Sequence, residues 1–97
     1  MQRFLLPYVG PATPPDASHE AWPEWFVSLG EQLLDRGSPI TGGRALRGDG
    51  SVGDPAVRLN GYGVIQAEDL DDALTLIGDH PYLTQGPAHS VEVHRLP

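Results

Sequence analysis

His80, in the run Gly78-Asp79-His80-Pro81, is one of four histidines, the side chains whose ordinary pKa lies near neutrality and which are the default general acids or bases. It falls where a helical pattern stops before a proline. Two readings are open: an acid or base at a cleft rim, with Asp54 as second polar actor, or a cation at a helix C-terminus that offsets the helix dipole. Glu92 and His94, two apart on one strand face, are of metal-ligand types, but no third ligand clusters with them and no metal is expected. Tyr62, Arg44, Trp22 and Trp25 offer aromatic walls and one polar handle, the make-up of a small-molecule pocket in which Tyr62 and Arg44 orient the substrate. Packing in a core or a dimer interface is the competing use of such aromatics. The segment Gly48-Asp49-Gly50-Ser51-Val52-Gly53 spells GxGxxG, yet a dinucleotide site needs those glycines between a strand and a helix N-terminus. Asp54-Pro55 and then a strand follow instead, so a mobile surface loop and no cofactor are expected.

Composition narrows the chemistry further. Thirteen acids against six arginines give a net charge of −7, which repels phosphate backbones and anionic membranes, so neither nucleic acid nor a membrane surface is an expected partner. The absence of lysine removes Schiff-base catalysis, and the absence of cysteine removes thiolate nucleophiles, thiolate metal sites and disulfides. Such a chain suits a reducing, cytoplasmic setting. Arginine as the sole cation fits planar recognition of anions, and fits equally a compositional bias of the genome. The opening run Met1-Gln-Arg-Phe-Leu-Leu-Pro7 is too short for a signal segment or a membrane span and reads as part of the fold.

The elements that must position these residues follow from periodicity. Ninety-seven residues support one domain, residues 1–97, with a limited core that a partner subunit would help to close. Residues 3–9 read as a first strand, with a bulge or local edge expected at Pro7 because proline cannot donate a ladder hydrogen bond. Residues 10–18, rich in turn formers, read as a loop. Trp22, Trp25, Phe26, Leu29, Leu33 and Leu34 recur at helical spacing, which predicts a helix from Ala21 to Arg36, started by Pro23 and capped by Gly37. Residues 40–47 read as a second, glycine-loosened strand. In 62–67, alternation puts Tyr62, Val64 and Gln66 on one face and Gly63, Ile65 and Ala67 on the other. A second helix is predicted over Asp69–Gly78, its stripe Leu70, Ala73, Leu74 and Ile77, and its acidic first turn (Asp69, Asp71, Asp72) answers the helix dipole. Ser90–Leu96 alternates as the last strand.

The order strand, helix, strand, strand, helix, strand specifies an α+β fold of ferredoxin-like βαββαβ type, an antiparallel sheet with two helices on one face. The other face would expose Phe4 or Leu6 with Tyr62 and Val64, an apolar patch that calls for a homodimer packed sheet to sheet.

The segments GYGVIQAEDLDDALTLIGDHPYL and GPAHSVEVHRLP resemble the C-terminal half of YCII-related proteins, and WPEWFVSLGEQLLDRGSPITGGRAL resembles their first helix and second strand. The resemblance implies a dimeric α+β barrel of ferredoxin-like subunits. Members closest to the family's namesake carry a first-helix histidine thought to pair with an aspartate; Trp25 stands at that position here. Another branch carries Asp-Gly-Pro-Phe before the third strand, where this chain has Gly53-Asp54-Pro55-Ala56. The expected function is binding or transformation of a small organic molecule in a cleft by cofactor-free acid/base chemistry. The alternative is a non-catalytic module that binds a ligand or a protein as an accessory.

Overall fold

A computed structural model of the chain describes residues 1–12 and 21–97. In chain order the elements are β1 (Gln2–Val9), α1 (Ala21–Leu29), a 3-10 turn at Gly30–Gln32, β2 (Leu33–Pro39), the short strands β3 (Ala45–Leu46) and β4 (Val52–Gly53), β5 (Leu59–Ala67), α2 (Leu70–Ile77), a 3-10 helix at Pro81–Gln85, and finally β6 (Ser90–Val91) and β7 (His94–Leu96). Most of the loop expected over residues 10–18 lies outside the described residues.

The main sheet runs β2, β5, β1 and then β6 with β7, and every pairing is antiparallel. With β6 and β7 counted as two halves of one last strand, the order is second, third, first, fourth, as in the ferredoxin-like plan. The last strand is split because of Pro7. Its carbonyl accepts from the Glu92 amide at 3.1 Å, so its nitrogen, which has no hydrogen, also faces that strand. Pairing resumes at Tyr8–Val91 on one side and Leu5–His94 on the other.

One face of the sheet carries the core. Phe4, Leu6 and Tyr8 of β1 and Ile65 and Ala67 of β5 are buried, in one cluster with Trp25, Phe26 and Leu29 of α1 and Ala73 and Ile77 of α2, so both helices cover the same face. Phe4 and Leu6 are thus core residues, and the open face holds Leu5 and Val9 with Tyr62 and Val64, all partly exposed. The strand begins one residue earlier than the run 3–9, and within it the residues of even number point inward. On α2 the buried stripe is narrower than predicted: Leu70 and Leu74 are exposed, and Leu76 packs on the core beside Ala73 and Ile77. Asp69 caps this helix by accepting from the Asp72 amide at 2.8 Å, while the Asp72 carboxylate accepts from the Glu68 amide at 2.9 Å. The acidic run is therefore a helix start.

Several expectations are corrected in the middle of the chain. The helix predicted to reach Arg36 stops at Leu29, because Gly30 takes φ +57° and turns the backbone out of the helix. Leu33 and Leu34 belong to β2, which lies at a sheet edge and is mostly exposed, so no alternation betrays it. The strand expected over 40–47 is accordingly displaced to 33–39, and Gly37 sits inside it rather than capping a helix. The glycine-rich segment read as a mobile loop forms the β3–β4 hairpin: the Arg47 amide donates to Ser51 O, the Gly50 amide to Arg47 O, and Asp49 accepts from the Ser51 amide. None of the described helices is long and apolar enough to cross a membrane.

Candidate functional site

The Gly61-Tyr62-Gly63 motif of β5 leaves room rather than filling it. Tyr8 is in register with Gly61, and its ring lies across both glycines: a Cβ at Gly61 would sit 3.1 Å from Tyr8 Cδ2, and one at Gly63 3.0 Å from the Tyr8 hydroxyl. With Tyr8 laid flat against β5, α1 and the edge of β2 enclose a cleft of about 680 Å³. Tyr8, Trp22, Phe26 and Tyr82 give it aromatic walls, and Asn60, Tyr62, Arg36 and Arg58 complete its lining.

The second strand delivers Arg36 by an irregular path. From Leu33 to Pro39 it takes six residue steps while β5, from Ile65 to Gly61, takes four, with register shifts on either side of Asp35. Between the shifts the alternation is inverted, so Arg36 lies on the helix side, its guanidinium carbon 5.2 Å from the centre of the Phe26 ring. Gly37 completes the bulge at φ +72°, its amide donating to Asp35 Oδ1 at 2.8 Å. Arg58 stands just ahead of β5, its Nε donating to Asn60 Oδ1 at 3.3 Å. The Asn60 amide in turn donates to Pro11 O and to the Tyr82 hydroxyl, both at 2.8 Å, which fixes the far wall.

His80 lies behind that wall. It is 1% exposed, with its ring 4.0 Å from Trp25, 4.8 Å from Tyr8 and 5.0 Å from Trp22, centre to centre. Its Nδ1 accepts from the Tyr82 amide at 3.0 Å, at the head of the second 3-10 helix. Burial lowers its pKa to about 4, with Asp79 pulling weakly the other way, so the ring is neutral at pH 7. Because Nδ1 is an acceptor, the ring proton of the neutral form is on Nε2, which is buried without a hydrogen-bond partner among the described residues. Tyr8 is alike: its hydroxyl is buried with no partner among the described residues, and burial raises its pKa to about 12.

The residues singled out from sequence are thus scattered over several places. Trp22 lines the cleft, and Tyr62 borders it from β5 with its side chain on the opposite, open face; Trp25 and His80 pack together behind it, with Trp25 Nε1 donating to Asp79 at 3.0 Å. Asp54 lines a second hollow of about 520 Å³ that adjoins the cleft at Ile40 and Arg58. Arg44 is exposed and lines neither space. Glu92 and His94 form an exposed pair, 2.7 Å apart, and no group of three or more potential metal ligands exists among the described residues. Tyr8, Arg36, Arg58 and Asn60 were not anticipated. The pairing of Tyr8 with a Gly-x-Gly strand was a signal within reach; Arg36 had none, because its orientation depends on register.

The family model of the YCII-related domain matches residues 7–97. No curated protein and no solved structure matches the chain.

Proposed function

The chain belongs to the YCII-related family, and from that premise we propose that it binds a small, largely apolar organic molecule in the cleft between α1, β2 and β5. One observation carries this reading: an aromatic-walled space of about 680 Å³ that ends in a few convergent polar groups, the usual form of a small-molecule site. The neutral fluorescent probe N-phenyl-1-naphthylamine is expected to bind wild-type protein, and Thr41→Trp, which fills the cleft from its lining, is expected to weaken it about tenfold or more. Equal affinity in the two proteins would place the probe elsewhere and remove the cleft from consideration.

A catalytic version of the same reading gives His80 the proton-transfer role and Asp54 a polar one. What favours it is the unpartnered Nε2 of His80, packed against two residues of the cleft wall, Tyr8 and Trp22. In the neutral ring this nitrogen donates; to act as a base, His80 must give up the Tyr82 amide. Binding without chemistry therefore has the stronger support.

The partner we propose is a second copy of the chain, packed over the open sheet face, in a dimeric α+β barrel. Leu5, Val9, Tyr62 and Val64 form an apolar stripe there, and the burial of such a surface is the main drive for association. Light scattering at micromolar concentration should return twice the mass of one chain, and a monomer mass would refute the arrangement.

A further inference from the structure

We propose that the cleft selects organic anions with a flat, apolar body, Arg36 and Arg58 providing the counter-charge. The inference rests on the cleft being the ligand site. In a protein of net charge −7, two of the six arginines line this one cleft, and among the described residues no aspartate or glutamate does. Among the described residues neither guanidinium is in an ion pair: the one such pair is His94 with Glu92. Asp35, the acid next to Arg36 in sequence, is engaged by the Gly37 amide that closes the bulge.

Both cations are placed rather than left to sweep through solvent. The double register shift of β2 carries Arg36 to the helix side, where it lies against Phe26. Asn60 holds Arg58 by its Nε and leaves the two terminal nitrogens for a ligand. A guanidinium is planar, weakly hydrated and able to grip two oxygens at once, so beside an apolar wall it favours a carboxylate-like group over a neutral one. The aromatic walls of Tyr8, Trp22, Phe26 and Tyr82 suit a ring system as the remainder of the ligand. A cationic ligand would meet two like charges, and nucleic acid is repelled by the protein as a whole.

A matched pair of probes separates the charge from the apolar body: 1-anilinonaphthalene-8-sulfonate and the uncharged N-phenyl-1-naphthylamine. The expected result is that wild-type protein binds the anion about tenfold more tightly, the equivalent of one charge-assisted hydrogen bond. In R36Q/R58Q that preference should vanish while affinity for the neutral probe is kept, which also reports that the variant is folded. Added salt should weaken the anion alone. Equal affinities in wild type, or a preference that survives in R36Q/R58Q, would overturn the anion inference and leave the cleft reading intact. Failure of both probes to bind would sink both readings.

Discussion

Gly37→Ala should cost about 4 kcal/mol of stability, a large share of the roughly 5–15 kcal/mol of a domain of this size, and urea unfolding against wild type measures it. Two effects combine. A non-glycine residue at φ +72° carries roughly 1–3 kcal/mol of backbone strain. A Cβ at this position would also overlap the Tyr62 carbonyl oxygen and lie 2.6 Å from the carbonyl carbon, so β2 would have to leave β5. The second effect makes the prediction sharp. Asparagine tolerates the left-handed region, yet Gly37→Asn should recover little, because the obstacle is backbone on the neighbouring strand. Gly30 is the control: its φ is +57°, but a Cβ there meets nothing within 4 Å, and Gly30→Asn should cost under about 1 kcal/mol. Similar losses at the two glycines would mean that the β2 bulge is not built as described.

The second large effect is in pH. His80 has a folded pKa of about 4 against an ordinary value of 6.5, lowered by burial and only partly restored by Asp79. The unfolded chain therefore takes up a proton below pH 6.5 that the folded chain refuses until about pH 4. The stabilisation is complete above pH 6.5 and is lost as pH falls to 4, by roughly 3 kcal/mol at about 1.4 kcal/mol per unit. His80→Asn keeps an acceptor near the Tyr82 amide and cannot titrate. Its stability should be lower than wild type at pH 7, and the gap should close on acidification to pH 4.5. Carboxylates that titrate in the same range are common to both proteins and cancel in the comparison. Parallel pH profiles would dismiss His80 as the source of the acid sensitivity.

What was legible in the sequence, and what was not, divides along the period of the pattern. The alternation of β5, the acidic cap of α2 and the order of the long elements were readable because each is a local regularity: Tyr62 and Val64 do face away from Ile65 and Ala67. The boundary between α1 and β2 was not, because Leu33 and Leu34 continue the helical spacing past Gly30, whose left-handed turn leaves no mark in an apolar count. The same limit hid the candidate site. Period two counted from Leu33 sends Arg36 to the open face; only the extra residues on β2 turn it toward Phe26. His80 was readable as the residue between the end of α2 and Pro81, but its neutrality is set by Trp22, Trp25 and Tyr8, which come from two other elements. Its neighbours in sequence left two readings open, an acid or base at a cleft rim and a helix-terminal cation.

The two outermost strands of the sheet share a property with a consequence for behaviour at high concentration. On one side β2 is bent by two bulges; on the other, the last strand is interrupted opposite Pro7 and carries the exposed His94 and Arg95 in its second half. A straight row of free amides and carbonyls is a template on which a second chain can add and polymerise. Among the described residues neither margin of this sheet offers such a row, which disfavours edge-to-edge growth into fibrils, and the open apolar face is where we propose that copies of the chain meet.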